Sequence, residues 1–177
     1  MDFRYSFMPN YTPNDIYLLR SFPFLVETSG YKFLFHPFIT PNELAASIDI
    51  ETIEADFILI SHGHSDHVAD ANSIAKLTGA KVICGWKVMA WFNKNGIENV
   101  HPINIGGASA FDFGKVKCTV AQHSSTMPDG SNGGNQMGFI ISTGEKTFYY
   151  SGDTGCWLCK GYKSDRCALR HIWVDKD

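Results

Sequence analysis

At 177 residues the chain is long enough for one domain with a real core, and a composition 44% hydrophobic and 14% aromatic excludes a disordered chain. The net charge is −3, with 15 Lys+Arg against 18 Asp+Glu and no basic run, so a polyanion-binding surface is not indicated and no nucleic-acid partner is expected. No apolar stretch approaches the roughly 20 residues that cross a bilayer, and no basic segment followed by an apolar run marks a secretory signal; the expectation is a cytoplasmic protein without a membrane partner. The five cysteines, Cys84, Cys118, Cys156, Cys159 and Cys167, are odd in number and scattered, which argues against a disulfide framework. Cys84 and Cys118 lie in apolar strands and read as core residues. Cys156-Trp-Leu-Cys159 is a single C-x-x-C without the second pair of a zinc site, and it is assigned no role.

Residues 1–17 are aromatic, polar and proline-containing without a period. Phe22–Thr28 and Tyr31–Phe35 read as strands around a turn at Ser29-Gly30. Thr40-Pro41-Asn42-Glu43 has the form of a capping box with proline at the first helical position, predicting a short helix to about Ser47. The apolar run Phe57–Ile60 predicts a short buried strand. After the polar stretch that follows it, Val68, Ala71, Ile74, Ala75 and Thr78 recur at helical spacing and stop at Gly79. Lys81–Cys84 is the next strand. Trp86–Asn95 carries apolar residues at 88, 89, 91 and 92 and is followed by Gly96, a helix stop. Residues 57–96 therefore read strand-helix-strand-helix, an α/β arrangement. Beyond them the period changes to two: Lys115–Ala121 alternates with Val116, Cys118 and Val120 on one face, and Phe111 and Phe113 extend that alternation upstream. Met137–Ser142 and Lys146–Tyr150 form a hairpin around Thr143-Gly144-Glu145.

The stretch Ser61-His62-Gly63-His64-Ser65-Asp66-His67-Val68-Ala69-Asp70 lies between the buried strand and the helix. Three imidazoles and a carboxylate within six positions, on a loop anchored at both ends, suit a metal site better than a packing role. His62 and His64, at i and i+2, point the same way in an extended segment. Asp66 and His67 are adjacent and face a different point, which suits two ions better than one. Met127–Gln136, rich in Gly, Asn, Ser, Asp and Pro, is expected to be a mobile loop overhanging this site.

The pattern H-x-H-x-D-H after a strand resembles the signature of the metallo-β-lactamase-fold hydrolases. The chain is similar in particular to the UPF0173 group of metal-dependent hydrolases, related to lactonases acting on ascorbate phosphate. The carriers are Ile58-Leu-Ile-Ser-His-Gly-His-Ser-Asp-His67, Asn99-Val-His-Pro-Ile-Asn-Ile-Gly-Gly107, Phe111-Asp-Phe-Gly114, Gln122-His-Ser-Ser125 and Tyr150-Ser-Gly-Asp-Thr154. The resemblance implies a single domain over 1–177 of mixed α+β or α/β class, an αββα sandwich of which the N-terminal portion is complete. Residues 18–154 carry the match, and 155–177 are an unmatched tail. It implies that His62, His64, His123 and Asp153 hold a first ion and that Asp66, His67 and Asp153 hold a second, with Asp153 bridging. His101 is assigned a structural role and His171 none. The chain departs from the family at Arg20-Ser21-Phe22, where Gly-His-Ser is usual, and at His36-Pro37-Phe38, where Asp-Pro-Phe is usual and the Asp braces the metal loop. Because the family continues with a second half and a further metal-binding His, a truncated or frameshifted reading is expected, with one sheet face left uncovered.

The cofactor expected is a divalent metal, zinc first and manganese or iron as alternatives, with one or two ions bound. Such ions acidify water toward a pKa of about 7, and hydroxide then attacks a carbonyl or phosphoryl centre. Asp66 is the catalytic candidate, orienting the nucleophile and exchanging a proton. The expected partner is a small-molecule ester, lactone or phosphoester, and a homo-oligomer is left open. The alternatives are a phosphodiesterase or nuclease of the same fold, or an inactive metal-binding fragment.

Overall fold

The computed structural model describes residues 23–144 and 146–155, together with the backbone of two short strands, Ile16–Leu18 and Ile172–Asp175. In chain order the strands are β1 (Ile16–Leu18), β2 (Phe24–Thr28), β3 (Tyr31–Phe35), β4 (Phe57–Leu59), β5 (Lys81–Cys84), β6 (Val100–Pro102), β7 (Ala108–Phe111), β8 (Gly114–Val120), β9 (Met137–Thr143), β10 (Thr147–Tyr150) and β11 (Ile172–Asp175). The helices are α1 (Ser65–Val68), α2 (Ala71–Thr78) and α3 (Trp86–Lys94). β1 to β6 form one six-stranded sheet in chain order, and β7 to β11 form a second, five-stranded sheet.

The first sheet starts with an antiparallel hairpin. Ser29 and Gly30, both at positive φ (52° and 77°), close β2 onto β3 in a two-residue loop whose twist matches that of the strands. β3, β4, β5 and β6 are then parallel; the first crossover runs through two 3₁₀ turns, Glu43–Ala45 and Ile50–Thr52, the second through α1 and α2, and the third through α3. Parallel strands are buried on both faces, so their residues divide by parity. Leu34, Ile58, Val82 and Cys84 face the helices, where Ala71, Ile74 and Ala75 of α2 and Val88 and Phe92 of α3 meet them. Phe33, Phe35, Phe57, Leu59 and Ile83 face the second sheet, against Val116, Cys118, Phe139, Ile141, Phe148 and Tyr150. The layer between the sheets is strongly aromatic: Phe24 stacks on Phe35 at 4.4 Å, and Phe33 meets Phe113 edge-on at 4.8 Å. Gly79, at φ 71°, ends α2 as its sequence predicts.

The second sheet is antiparallel throughout. Among the described residues no helix covers its outer face, which carries Lys115, Lys117, Ile140, Ser142 and Tyr149. The described portion of the expected αββα sandwich is thus one helical layer and two sheets. Among the described residues no helix is long and apolar enough to cross a membrane.

Several local expectations are corrected. The predicted helix from Thr40 is a 3₁₀ turn over Glu43–Ala45, and Asn42, not Thr40, caps it by accepting a hydrogen bond from the Leu44 amide. A segment this short favours the local side-chain bond over helix propagation. The alternation of 115–121 does not run back through Phe111 and Phe113. The chain reverses there between β7 and β8, with Phe111 paired to Gly114, and a Cβ at Gly114 would lie 2.1 Å from the Ser142 carbonyl oxygen. Val120 is 67% exposed although Val116 and Cys118 are buried, because it is the last residue of β8, where the chain leaves the sheet. A strand, β1, falls in the stretch that has no sequence period.

Cys84 and Cys118 are buried free thiols. Burial pushes the Cys84 thiol far above its ordinary range and that of Cys118 up to about 12. Both are therefore expected to resist an aromatic disulfide reagent at pH 8 in the native chain and to react once it is unfolded, since the thiolate is the nucleophile. Mass mapping of labelled peptides reads this out, and native labelling of Cys118 would contradict its placement.

Candidate metal centre

The site is assembled at the ends of strands. β3 runs out at His36, β4 into Ser61–His64, and α1 presents Asp66 and His67. β8 leads to His123 and β10 to Asp153. Two clamps hold the loop after β4. The Met137 amide donates to the Ser61 carbonyl at 3.0 Å, tying it to the start of β9. The Asp70 carboxylate accepts from the amides of Ile39 and Thr40 at 2.6 and 2.8 Å, and the Asp70 amide donates to the Pro37 carbonyl. Asp70 thereby fastens α1 and α2 to the segment after His36.

Two groups of donors result. The ring nitrogens of His62, His64 and His123 lie within 4.8 Å of one another. His62 Nε2 and His64 Nδ1 are 3.1 Å apart, close to the about 3.3 Å that separates two nitrogens on a tetrahedral zinc-sized ion at 2.0–2.1 Å. In the second group, His67 Nε2 lies 3.3 Å from Asp66 Oδ2 and 3.3 Å from Asp153 Oδ2. The same Asp153 oxygen is 3.9 Å from His123 Nε2. Asp153 therefore stands between the groups, the position from which one carboxylate can reach two cations.

The opposite ring nitrogens support the same reading. Ser61 Oγ lies 2.9 Å from His62 Nδ1, and Ser124 Oγ lies 3.2 Å from His64 Nε2. His36 Nε2 is 3.4 Å from His67 Nδ1. Each of these three imidazoles has one nitrogen held from behind, and the other faces the cluster. Metal-ligating histidines are oriented in this way, through the nitrogen that does not bind. The second set of donor atoms within 4.8 Å of one another is that of His36, His67 and Asp153, with Asp66 reaching His67 from the exposed side. A divalent ion therefore fits each group by donor type and spacing, and His36 is a candidate donor that the sequence did not single out.

All six residues singled out in the sequence, His62, His64, Asp66, His67, His123 and Asp153, are brought to this one region. Asp153 sits closer to His67 than to His123, so it belongs first to the second group. His67 is fully buried, whereas the Asp66 side chain is 43% exposed and lies at the mouth. His101 takes no part; its Nε2 lies 2.9 Å from Ser109 Oγ, and its ring packs on Phe111. His171, Cys156, Cys159 and Cys167 lie outside the described residues.

The 127–136 segment is folded onto the site. Met127 and Gly130 are joined by a turn, Thr126 bridges Asn132, and the Gly133 amide donates to the Ser125 carbonyl. Hydrogen bonds from the Ser131 hydroxyl and amide hold the Asp129 carboxyl down at about 2. Met127 is buried, with its sulfur where a Cβ on Gly63 would be, 2.2 Å away. The Gly63 amide donates to Ser125 Oγ at 3.1 Å. Glycine between the two histidines is what lets this segment close over the loop.

The family model described as beta-lactamase superfamily domain matches residues 33–163. A UPF0173 metal-dependent hydrolase of Flavobacterium johnsoniae is 47% identical over 129 residues, covering 73% of this chain and 57% of that protein. One from Methylacidiphilum infernorum is 45% identical over 131 residues, covering 74% and 58%. The chain thus spans little more than half the length of these relatives. The structure of Igni18, a metallo hydrolase from Ignicoccus hospitalis, superimposes with a TM-score of 0.65 at 29% identity, over 77% of this chain and 59% of that one. With three-quarters of its length matched and the H-x-H-x-D-H loop inside the match, the chain belongs to the metallo-β-lactamase superfamily, and its relatives there are the UPF0173 metal-dependent hydrolases.

Proposed function

We propose that this chain is the metal-holding portion of a hydrolase that cleaves an ester, lactone or phosphoester of a small molecule. One observation carries the reading: a single carboxylate, Asp153, stands within reach of both a three-histidine group and an Asp-His pair. The names of the relatives agree with it. Imidazole and carboxylate donors suit zinc first, with iron or manganese as alternatives. Divalent ions held there supply Lewis acidity toward a carbonyl or phosphoryl oxygen and acidify water. Asp66, at the open mouth, is placed to orient a water and to hold the proton it loses on a carboxylate oxygen.

A cavity of about 600 Å³ lies at the C-terminal ends of β5 and β6, where open α/β sheets take ligands; none of the six candidate ligands lines it, and its link to the metal loop is Met137, whose amide is bonded to the Ser61 carbonyl. Its lining includes Trp86, Lys87, Asn104, Asn132, Asn135 and Met137. A single cation, no carboxylate and several amides suit a small polar molecule, neutral or anionic. A nuclease would need a basic track, which one lysine does not provide.

The test is turnover by the purified, metal-supplemented chain on a panel of lactones, simple esters and phosphodiesters. Asp66→Ala is expected to lower kcat more than about 100-fold with the fold retained, and His101→Ala to stay within about twofold. A fully active Asp66→Ala chain would remove Asp66 from the mechanism, and no turnover on any member of the panel would overturn the hydrolase reading.

A further inference from the structure

The cavity at the ends of β5 and β6 differs in chemistry from the metal centre beside it. Its side chains are biased toward donating. Lys87 brings an ammonium and Trp86 an indole N–H, and neither accepts a hydrogen bond. Asn132 already accepts from the Gly134 amide through its side-chain oxygen at 2.7 Å, so what it has left to offer is its NH2 group. No carboxylate lines the cavity, and among the described residues none pairs with Lys87. Asp129, in the segment that forms one wall, is engaged by Lys94 at 3.2 Å instead. The stem of Lys87 is packed as well: Gly134, left-handed at φ 75°, lies so close that a Cβ there would be 3.1 Å from Lys87 Cβ and Cγ. That wall is fixed in turn, because the Gly133 amide donates to the Ser125 carbonyl at 3.1 Å while Ser125 Oγ accepts from the Gly63 amide of the metal loop.

Trp86 adds a flat apolar surface. It is 55% exposed, although Ile105 and the buried Met137 line the same cavity. An indole left open beside apolar neighbours offers a planar group a face to stack on. We propose that this cavity binds a small organic anion with a planar body, with Lys87 meeting the charge and Trp86 stacking on the plane. The chemistry is that of a carboxylate or phosphate on an unsaturated or aromatic frame. Such a group is either a free ligand or the non-reacting end of the substrate; the second source rests on the hydrolase reading, and the binding site itself does not.

The test follows the indole N–H resonance of Trp86 in nitrogen–proton correlation spectra of the whole, zinc-supplemented chain, assigned by its loss in Trp86→Phe. The probes are benzoate, phenyl phosphate, the uncharged benzamide, and cyclohexanecarboxylate, which has the charge without the plane. Benzoate and phenyl phosphate are expected to shift the resonance and to bind about 10-fold more tightly than benzamide, the scale of a hydrogen bond to a charged group. Cyclohexanecarboxylate is expected to bind about fivefold more weakly than benzoate, for want of stacking. Lys87→Gln, which keeps a donor and removes the charge, is expected to weaken both aromatic anions about 10-fold and to leave benzamide within about twofold. Both Trp86 and Lys87 are exposed, so neither variant empties the core. An anion held on a metal ion would bind independently of Lys87. The proposal is overturned if Lys87→Gln leaves the anions unaffected, if benzamide binds as well as benzoate, or if the Trp86 resonance does not move. Steady-state kinetics separate the two sources: Lys87→Gln raises KM for a carboxylated aryl ester but not for its amide counterpart where the cavity takes the far end of the substrate, and for neither where the anion is a separate ligand. Both results keep the site. Anion binding without turnover on any ester, lactone or phosphodiester overturns the hydrolase reading and leaves the anion site standing.

Discussion

Asp153→Ala is expected to leave the chain unable to hold two ions and to reduce hydrolysis by more than the roughly 100-fold that marks loss of a supporting partner. The expectation follows from position. Asp153 Oδ2 is 3.3 Å from His67 Nε2 and 3.9 Å from His123 Nε2, so removing it takes a donor from one group and the link from the other. It also takes away negative charge where two dications would otherwise repel each other in a partly buried site. The Asp153 side chain is only 23% exposed, and screening by water is correspondingly weak there. Asp153→Asn keeps the shape and one oxygen without the charge, and an intermediate loss is expected. Metal content after exhaustive dialysis, measured beside circular dichroism, reads this out. Two ions retained per chain in Asp153→Ala would show that the carboxylate is a neighbour of the site and not part of it.

The parts of the fold that were legible are those whose signal is local. The Ser29-Gly30 turn, the stop of α2 at Gly79 and the β9–β10 hairpin each follow from a few adjacent residues. β7 was not legible, because its residues alternate between exposed and half-buried positions and carry no apolar stripe. Four of the metal-binding candidates could be read because three imidazoles and a carboxylate crowd one loop, whereas His123 and Asp153 were expected only from the family resemblance. Their supports could not. Ser61 and Ser124 are ordinary serines until the fold sets them behind His62 and His64, and Asp70 meets amides 30 and 31 residues away. His36 was read as a departure that most simply meant a local loss of bracing. Only the approach of β3 to β4 and β10 shows it among Ser61, His67 and Tyr150. Met127 shows the opposite failure. A Gly- and Asn-rich neighbourhood reads as loose, yet the one large apolar side chain at its start is buried over Gly63 and holds the segment down.

Glycine substitutions should separate backbone strain from steric exclusion around the site, and Gly152→Ala is expected to be the most damaging of four. Gly152 is at φ 64°, and a Cβ there would lie 2.5 Å from the Met137 carbonyl oxygen and 3.1 Å from Ser61 Cβ. Neither neighbour can yield, since Met137 is paired in β9 and its amide is bonded to the Ser61 carbonyl. The left-handed conformation alone costs a non-glycine residue about 1–2 kcal/mol, and the clash with fixed backbone adds to it, so a total above about 2 kcal/mol is expected. Gly30 is at φ 77° with open space around it, so Gly30→Ala should show the conformational cost by itself. Gly63 is the converse: its backbone is not left-handed and its obstacle is the flexible end of Met127, so Gly63→Ala should displace that side chain at a smaller cost. Gly144 has neither constraint, and alanine there should be neutral or stabilising by up to about 1 kcal/mol. Urea unfolding of the four variants gives the order. Because Asp153 follows Gly152 directly, the Gly152→Ala chain should also bind metal more weakly than its stability loss accounts for. Equal stability of Gly152→Ala and Gly144→Ala would mean that the close approach of β9 and the metal loop to residue 152 is wrong, and with it the route by which Asp153 reaches the site.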